Sequence, residues 1–450
     1  MLDLSLIGFA TILIIVLLLI SGRVTPIIAL VLIPILGAFI AGFGIGEIGG
    51  FFDEGIVDVI NVVIMFIFAI LFFGIMQDVG LFDPLINGLI KISRGNIIAI
   101  SVGSVVIAAI AHLDGSGAST FLITIPALLP LYKRLKMNPY LLLLLIGGSA
   151  SVMNMVPWAG PLGRTASVLK MDVTELWRPL IPIQAIGMVL MIGIAIFFGL
   201  MEKRRISKKY GSPEAAAAVD VGLEDEEEES SEESSETAAK KKSLARPKLL
   251  WINVILAVGV IGILVWGIIP AGFAFMIGVS VALPINYPKI NDQMERIRVH
   301  APNALMMATI ILAAGSFLGI LTGTGMLDSI ATDVVKILPA FVAPYLHLII
   351  GFFGVPFDLL LSTDAYYFAL LPVVDQIASG FGIGSLSTAY AMVIGNIVGT
   401  FVSPFSPALW LALGLAGLEM GRHIRYSLLW MWGLSIVLLF VAVLLGVISI

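Results

Sequence analysis

The residues of this chain able to do chemistry gather at two short polar stretches, each set within long apolar sequence. The first is His112-Leu113-Asp114-Gly115-Ser116-Gly117-Ala118-Ser119-Thr120, and the second runs from Asp358 to Ser362-Thr363-Asp364. Two more polar interruptions accompany them, at Asn154 to Gly163 and Asn396 to Pro407. Hydroxyls, amides and glycines that let backbone N–H groups approach closely suit a small oxyanion held without many fixed charges. The candidate substrate ligands are Gly115, Ser116, Gly117, Ser119, Thr120, Asn154, Gly160, Arg164, Ser362, Thr363, Asn396, Thr400, Ser403 and Ser406. Arg164 adds a planar guanidinium fork that matches a carboxylate. Asp114 and Asp364 need a different explanation, because a carboxylate in apolar surroundings must be paired, protonated or bound to a cation. Both are candidate proton carriers and candidate ligands of a hard divalent ion, Mg²⁺ or Ca²⁺, and His112 is a third candidate proton carrier. Asp358 reads as a helix cap, and any single hydroxyl here can serve the same purpose.

Composition says what medium positions these groups. Of 450 residues 59% are hydrophobic and 12% charged, with a mean hydropathy of +1.08, which implies a polytopic helical membrane protein rather than a soluble domain. With no cysteine there is no disulfide, thiolate metal site or cysteine nucleophile. The net charge of −5 offers no basic surface for nucleic acid. Asp3 stands where a signal peptide carries positive charge, so the first apolar segment is expected to remain as a membrane helix.

Along the chain, spans are expected at about residues 4–20, 26–43 and 57–76. Residues 97–131 then read as a re-entrant hairpin, because the eleven apolar residues from Phe121 to Leu131 cannot cross a core of about 30 Å. Residues 140–169 read as a discontinuous helix broken at Asn154, Pro157, Gly160 and Pro161, and 178–200 as a further span. Residues 202–247, basic at both ends and rich in Glu and Ser between, read as a disordered acidic linker. After it the same order returns: spans at 249–266, 272–283 and 303–321, a hairpin at 344–372, a broken helix from Ala389 and a last span at 427–448.

Residues repeat as well as pattern. Gly74-Ile75 and Gly80-Leu81-Phe82-Asp83 match Gly319-Ile320 and Gly325-Met326-Leu327-Asp328, while Pro157 matches Pro404 and Arg178 matches Arg425. The expected architecture is therefore all-α: about ten transmembrane helices plus two re-entrant hairpins, in two inverted-topology repeats at 1–201 and 248–450. Placing both termini outside and the linker in the cytoplasm puts 21 of the 25 Lys and Arg residues inside, Lys91 and Arg94 among them.

Ile67 to Met76 running into Gly80-Leu81-Phe82-Asp83-Pro84-Leu85, the Leu113-Asp114-Gly115 tip, Leu129-Pro130-Leu131-Tyr132-Lys133-Arg134-Leu135 and Asn154-Met155-Val156-Pro157-Trp158-Ala159-Gly160-Pro161 resemble the metal-citrate:proton symporter (CitMHS) family of the ion-transporter superfamily. Gly319 to Met326 and Ser362-Thr363-Asp364-Ala365-Tyr366-Tyr367-Phe368 resemble its second hairpin region. The resemblance implies proton-coupled uptake of citrate as a divalent-metal complex by a dimeric elevator in the cell membrane. The metal would travel as co-substrate, with no permanently bound cofactor and with carboxylate and lipid as partners. A Na⁺-coupled di- or tricarboxylate carrier is the nearest alternative. An intramembrane serine hydrolase built on Gly115-Ser116-Gly117 is more distant, because it needs a base within reach of Ser116 Oγ.

Overall fold

The computed structural model describes residues 3–21, 23–84, 88, 96–210, 244–267, 269–337, 339 and 342–449, and these contain helices and turns but no strand. Lys91, Arg94 and residues 211–243 of the expected linker lie outside the described residues. Among the described residues, six helices are long and apolar enough to cross a membrane and six shorter apolar ones accompany them. The exact expectation of ten spans is thus matched only in kind, because the breaks divide several of the apolar segments.

The first part of the chain forms α1 (Leu4–Ser21), α2 (Pro26–Ile40) and the long α3 (Ile45–Asp78). α3 starts twelve residues before the expected Val57, because its first turns are polar and invisible to an apolar window. They are secured by Glu47, whose carboxylate accepts from Gly44 N at 2.8 Å. The first polar stretch lies between α4 (Ile97–Ala111) and α5 (Gly117–Arg134), as a short 3₁₀ turn at His112–Asp114 followed by Gly115 at φ +71°. α5 is longer than its apolar run because Ser119 and Thr120 before it and Tyr132 to Arg134 after it are absorbed into the helix; the hydroxyls of Thr120 and Thr124 donate to carbonyls four residues back. Then come α6 (Pro139–Met153), a non-helical break, α7 (Gly160–Leu169), the short α8 (Val173–Trp177) and α9 (Ile181–Tyr210).

α9 runs nine residues into the range assigned to the linker. Buried Glu202 accepts from Asn138 N at 2.9 Å and Arg205 at 2.7 Å, and Arg205 also donates to Lys136 O at 2.7 Å, so these turns are tied to the loop after α5.

The second part comprises α10 (Leu250–Trp266), α11 (Ala271–Asn286), α12 (Ile290–Gly323) and α13 (Met326–Ile337). The second polar stretch joins α14 (Leu346–Phe352) and α15 (Gly354–Phe357) to a π-helical turn at Ala365–Leu370 that continues as α16 (Leu371–Ser379). α17 (Ser385–Ile397) breaks before α18 (Pro407–Ala416), and α19 (Met420–Leu444) closes the chain.

α3 and α12, each 34 residues and therefore about 50 Å long, form a spine by the most extensive helix pairing in the molecule. Lipid tails are as apolar as the side chains, so two helices gain contact there mainly by close approach of small residues. Gly315 and Gly319 supply it on α12 and Gly55 on α3: a Cβ on Gly55 would collide with the Gly315 carbonyl, and one on Gly319 with the Phe51 carbonyl. α2 and α11 flank this spine, and α1 packs on α2 and α13. The tips and broken helices form the other group, with α4 against α6 and α9, α5 against α6 and α18, and α17 against α14, α16 and α19.

Gly315→Leu should lower the thermal midpoint of the detergent-purified protein by several degrees, overpacking by a few methylenes costing about 1–3 kcal/mol or more. Gly259→Leu, where an added side chain meets open space, should leave the midpoint within a degree or two of wild type.

Candidate functional site

Each break is stitched to its tip by side chains that satisfy backbone left over when the helix stops. At the first, Trp158 Nε1 donates to Leu113 O at 2.8 Å, and Trp158 stacks on Phe73 with ring centroids 4.9 Å apart. His112 is buried between Thr120 Oγ1 at 2.7 Å and Asn154 Oδ1 at 2.8 Å. At the second, Asn396 Nδ2 donates to Gly354 O at 3.2 Å and Ser403 Oγ to Asp358 O at 2.6 Å. Phe401 crosses between the halves: its ring fills the space over Gly117 and packs edge-on to Phe121 at 5.0 Å, while His423 Nε2 bonds its carbonyl at 3.0 Å.

This framework encloses a cavity of about 400 Å³, within the range of roughly 300–1,000 Å³ typical of small-molecule sites. One wall comes from the spine, with Phe66, Gly74 and Gln77 on α3 and His300, Asn303 and Met307 on α12. The other comes from the tips and breaks, with Asp114, Ser116, Ser119, Asn154, Arg164, Thr363 and Thr400 among its residues. Three helices begin at the cavity. Gly117 and Ala118 of α5, Gly160 and Pro161 of α7, and Pro407 and Ala408 of α18 all line it, and each is in the first turn of its helix. The positive ends of three helix dipoles therefore converge where an anion would sit. Proline is tolerated in the first turn of α7 and α18 because the N–H it removes has no partner in the helix.

Of the residues singled out in the sequence, Asp114, Gly115, Ser116, Gly117, Ser119, Asn154, Gly160, Arg164, Thr363 and Thr400 come together at the cavity. His112, Thr120, Ser362, Asn396, Ser403 and Ser406 do not line it. His112 and Thr120 tie the first tip together, Ser362 Oγ accepts from Ala365 N at 3.2 Å, Asn396 and Ser403 hold the second tip, and Ser406 precedes α18 as its N-cap residue. Asp114 Oδ1 accepts from Ser116 N at 2.8 Å, which shapes the turn and leaves the carboxylate at the cavity wall. Asp364 is engaged otherwise: its Oδ1 lies 2.7 Å from Arg164 Nε, and the two side chains are only 14% and 11% exposed. That ion pair joins α7 to the second tip and accounts for a cation where the charge rule expects none. Arg164 is buried, so it does not reach out to an interface beside Lys170, which pairs with Asp58 at 2.7 Å.

Gln77, His300, Asn303 and Trp158 are the functional candidates that residue patterns alone passed over. The first three lie on spine helices and reach the cavity only through tertiary packing. His300 and Asn303 fall in the polar first part of α12 and Gln77 in the last turn of α3, so no pattern of residues singled them out. Ser116 Oγ has as its partners Ser119 N at 3.4 Å and Ser119 Oγ at 3.2 Å, and His112 is committed to Thr120 and Asn154, so among the described residues no histidine base is placed to activate Ser116 as a nucleophile.

A family model described as "Citrate transporter" matches residues 5–395. The chain belongs to the citrate transporter family. Among curated members it is 37% identical to a "Citrate transporter" of Bacillus subtilis (strain 168), across 99% of this chain and 100% of that one. It is 36% identical to a "Mg(2+)/citrate complex secondary transporter" of the same organism, across 99% of both. The family's characterised members are transporters, so the serine-hydrolase alternative is set aside. In fold, this citrate transporter family member is similar to the crystal structure of the Alcanivorax borkumensis YdaH transporter, with a TM-score of 0.55 at 16% identity over 89% of this chain and 87% of that one.

Removing one partner of a buried pair strands the other charge, at a cost of about 3–5 kcal/mol. Asp364→Ala should therefore destabilise the purified protein strongly, and adding Arg164→Met should restore much of the lost thermal stability. A double variant no more stable than the single one would show that Asp364 acts apart from Arg164.

Proposed function

We propose that this protein imports citrate, or a closely related carboxylate, as a complex with a divalent metal, coupled to protons. Convergence of the α5, α7 and α18 N-termini on one cavity is the observation that carries the reading. Dipole ends and N–H groups give an anion partial charges and hydrogen bonds without fixed cations, and the cation at the wall, Arg164, is already balanced by Asp364. Such a site favours an anion of low net charge. Trivalent citrate carrying one divalent cation has a single negative charge left, and Asp114 supplies a carboxylate that can take up an open coordination position on Mg²⁺ or Ca²⁺ or carry a proton. The metal is cargo in this reading. Of the groups nominated as proton carriers, Asp114 is the one at the cavity that no cation holds; His112 is sealed and Asp364 is salt-bridged.

The movement we infer is an elevator: the tips and broken helices carry the site past the α3–α12 spine. Paired features support it. α3 and α12 have equal lengths, α7 and α18 have ten residues each and begin with proline in the first turn, and each is preceded by a tip stitched to a break. An inverted repeat provides two interchangeable arrangements of one site, with the termini outside, the linker in the cytoplasm and a homodimer holding the spine still.

Proteoliposomes containing the purified protein should accumulate labelled citrate only when a divalent cation is added, and a proton uncoupler should abolish accumulation. Uptake that ignores the metal and follows a Na⁺ gradient would contradict the reading.

A further inference from the structure

We propose that His300, oriented by Asp78, is a substrate-binding residue contributed by the spine, and that a proton on its ring tightens anion binding in the arrangement seen here. The proposal rests on the carboxylate-transport reading and adds a contact on the opposite wall of the same cavity. His300 Nε2 lies 2.8 Å from Asp78 Oδ2, with the two side chains 14% and 17% exposed. The ring occupies a slot that exists because residue 74 is glycine: a Cβ there would lie 2.5 Å from Nδ1. His300 lines the cavity together with Gln77 and Asn303 of the spine helices.

A histidine bonded through one ring nitrogen to a carboxylate is fixed in orientation, which leaves the other nitrogen to a ligand. The charged groups facing it are few. Asp78 comes from α3, and Arg296, on the same helix as His300, shares the same Asp78 oxygen at 3.3 Å and is held on its other side by Glu295 at 2.7 Å. Asp114 and Arg164 face it across the cavity, the latter balanced by Asp364. Arg296 is shared between Asp78 and Glu295, so with a neutral imidazole this wall offers an anion no uncompensated cation. Uptake of one proton from cavity water makes it cationic, with both ring nitrogens as donors.

A cation at the wall and an anion in the cavity attract, and by linkage each then favours binding of the other. Departure of the anion removes that stabilisation, and the ring returns its proton to water. Because the spine does not travel with the tips, this contact exists at one end of the stroke. Acidity on the side to which the cavity opens would hold substrate in place there, and alkalinity would release it.

The test is calorimetric binding of Mg²⁺–citrate to the full-length purified protein between pH 6 and pH 8, comparing wild type with His300→Gln. Citrate's own titration is common to both proteins and cancels in the comparison. Wild-type affinity should fall with rising pH by roughly tenfold more than that of His300→Gln, within the range usual for coupled sites. Asp78→Asn, which keeps the imidazole but removes the carboxylate that orients it, should also lose most of the wild-type pH dependence, and it serves if His300→Gln does not fold. Either variant keeping the wild-type pH dependence would overturn the assignment while leaving the transport reading intact. A wild-type protein that binds no citrate with or without metal at any pH would overturn both.

Discussion

Backbone released from a helix in an apolar medium must find a partner, and the rest of this structure depends on how the chain meets that demand. Helices stop at both tips and both breaks, where carbonyls and N–H groups lose their intrahelical partners. Carbonyl groups are answered by side chains reaching in from elsewhere: Trp158 at Leu113, Ser403 at Asp358 and Ser435 at Gly395, the last at 2.7 Å. The first turns of α5, α7 and α18, the positive ends of those helices, are left at the cavity. That asymmetry makes the site: the chain closes off its negative backbone ends and leaves the positive ones for a ligand.

Fixed charge is handled with the same economy. The Arg164 guanidinium could bind a carboxylate of the substrate, yet it is committed to Asp364 of the second tip. A free arginine in a small low-dielectric cavity would hold a carboxylate tightly, and a transporter must also release it. Neutralising the arginine leaves an anion site of moderate strength and uses the ion pair to fasten the two halves together. Similar reasoning applies to His112, which joins Thr120 of the tip to Asn154 of the break and so holds the turn in register.

Much of this was legible in the residues because the cost of polar groups in a membrane marks them. The two tips, the two breaks and the anomalous Arg164 all appear as interruptions of apolar sequence, and ten of the nominated site residues do meet at one cavity. What failed to appear has physical reasons. Pairing of Arg164 with Asp364 spans 200 positions, and each residue alone looked available to a ligand. Gln77, His300 and Asn303 lie near the polar ends of long helices, where polar residues are ordinary, and only the crossing of α3 with α12 turns them toward the site. Thr120, Ser403 and Asn396 carry the right groups but spend them on backbone. The start of α3 and the end of α9 escaped an apolar window because their terminal turns are polar and are held by Glu47 and Glu202.

In the proposed function, metal-bound citrate sits in the space between the spine and the tips. The chain contains no cysteine, so a single Ser116→Cys substitution at the cavity wall gives one reporter thiol without further engineering. The decisive measurement is the rate at which a small maleimide labels that thiol in purified protein, with citrate, with Mg²⁺ and with both. Citrate and Mg²⁺ together should slow labelling strongly while either alone at the same concentration does little; labelling unaffected by the pair, or slowed equally by either component, would contradict a site for the complex in this space.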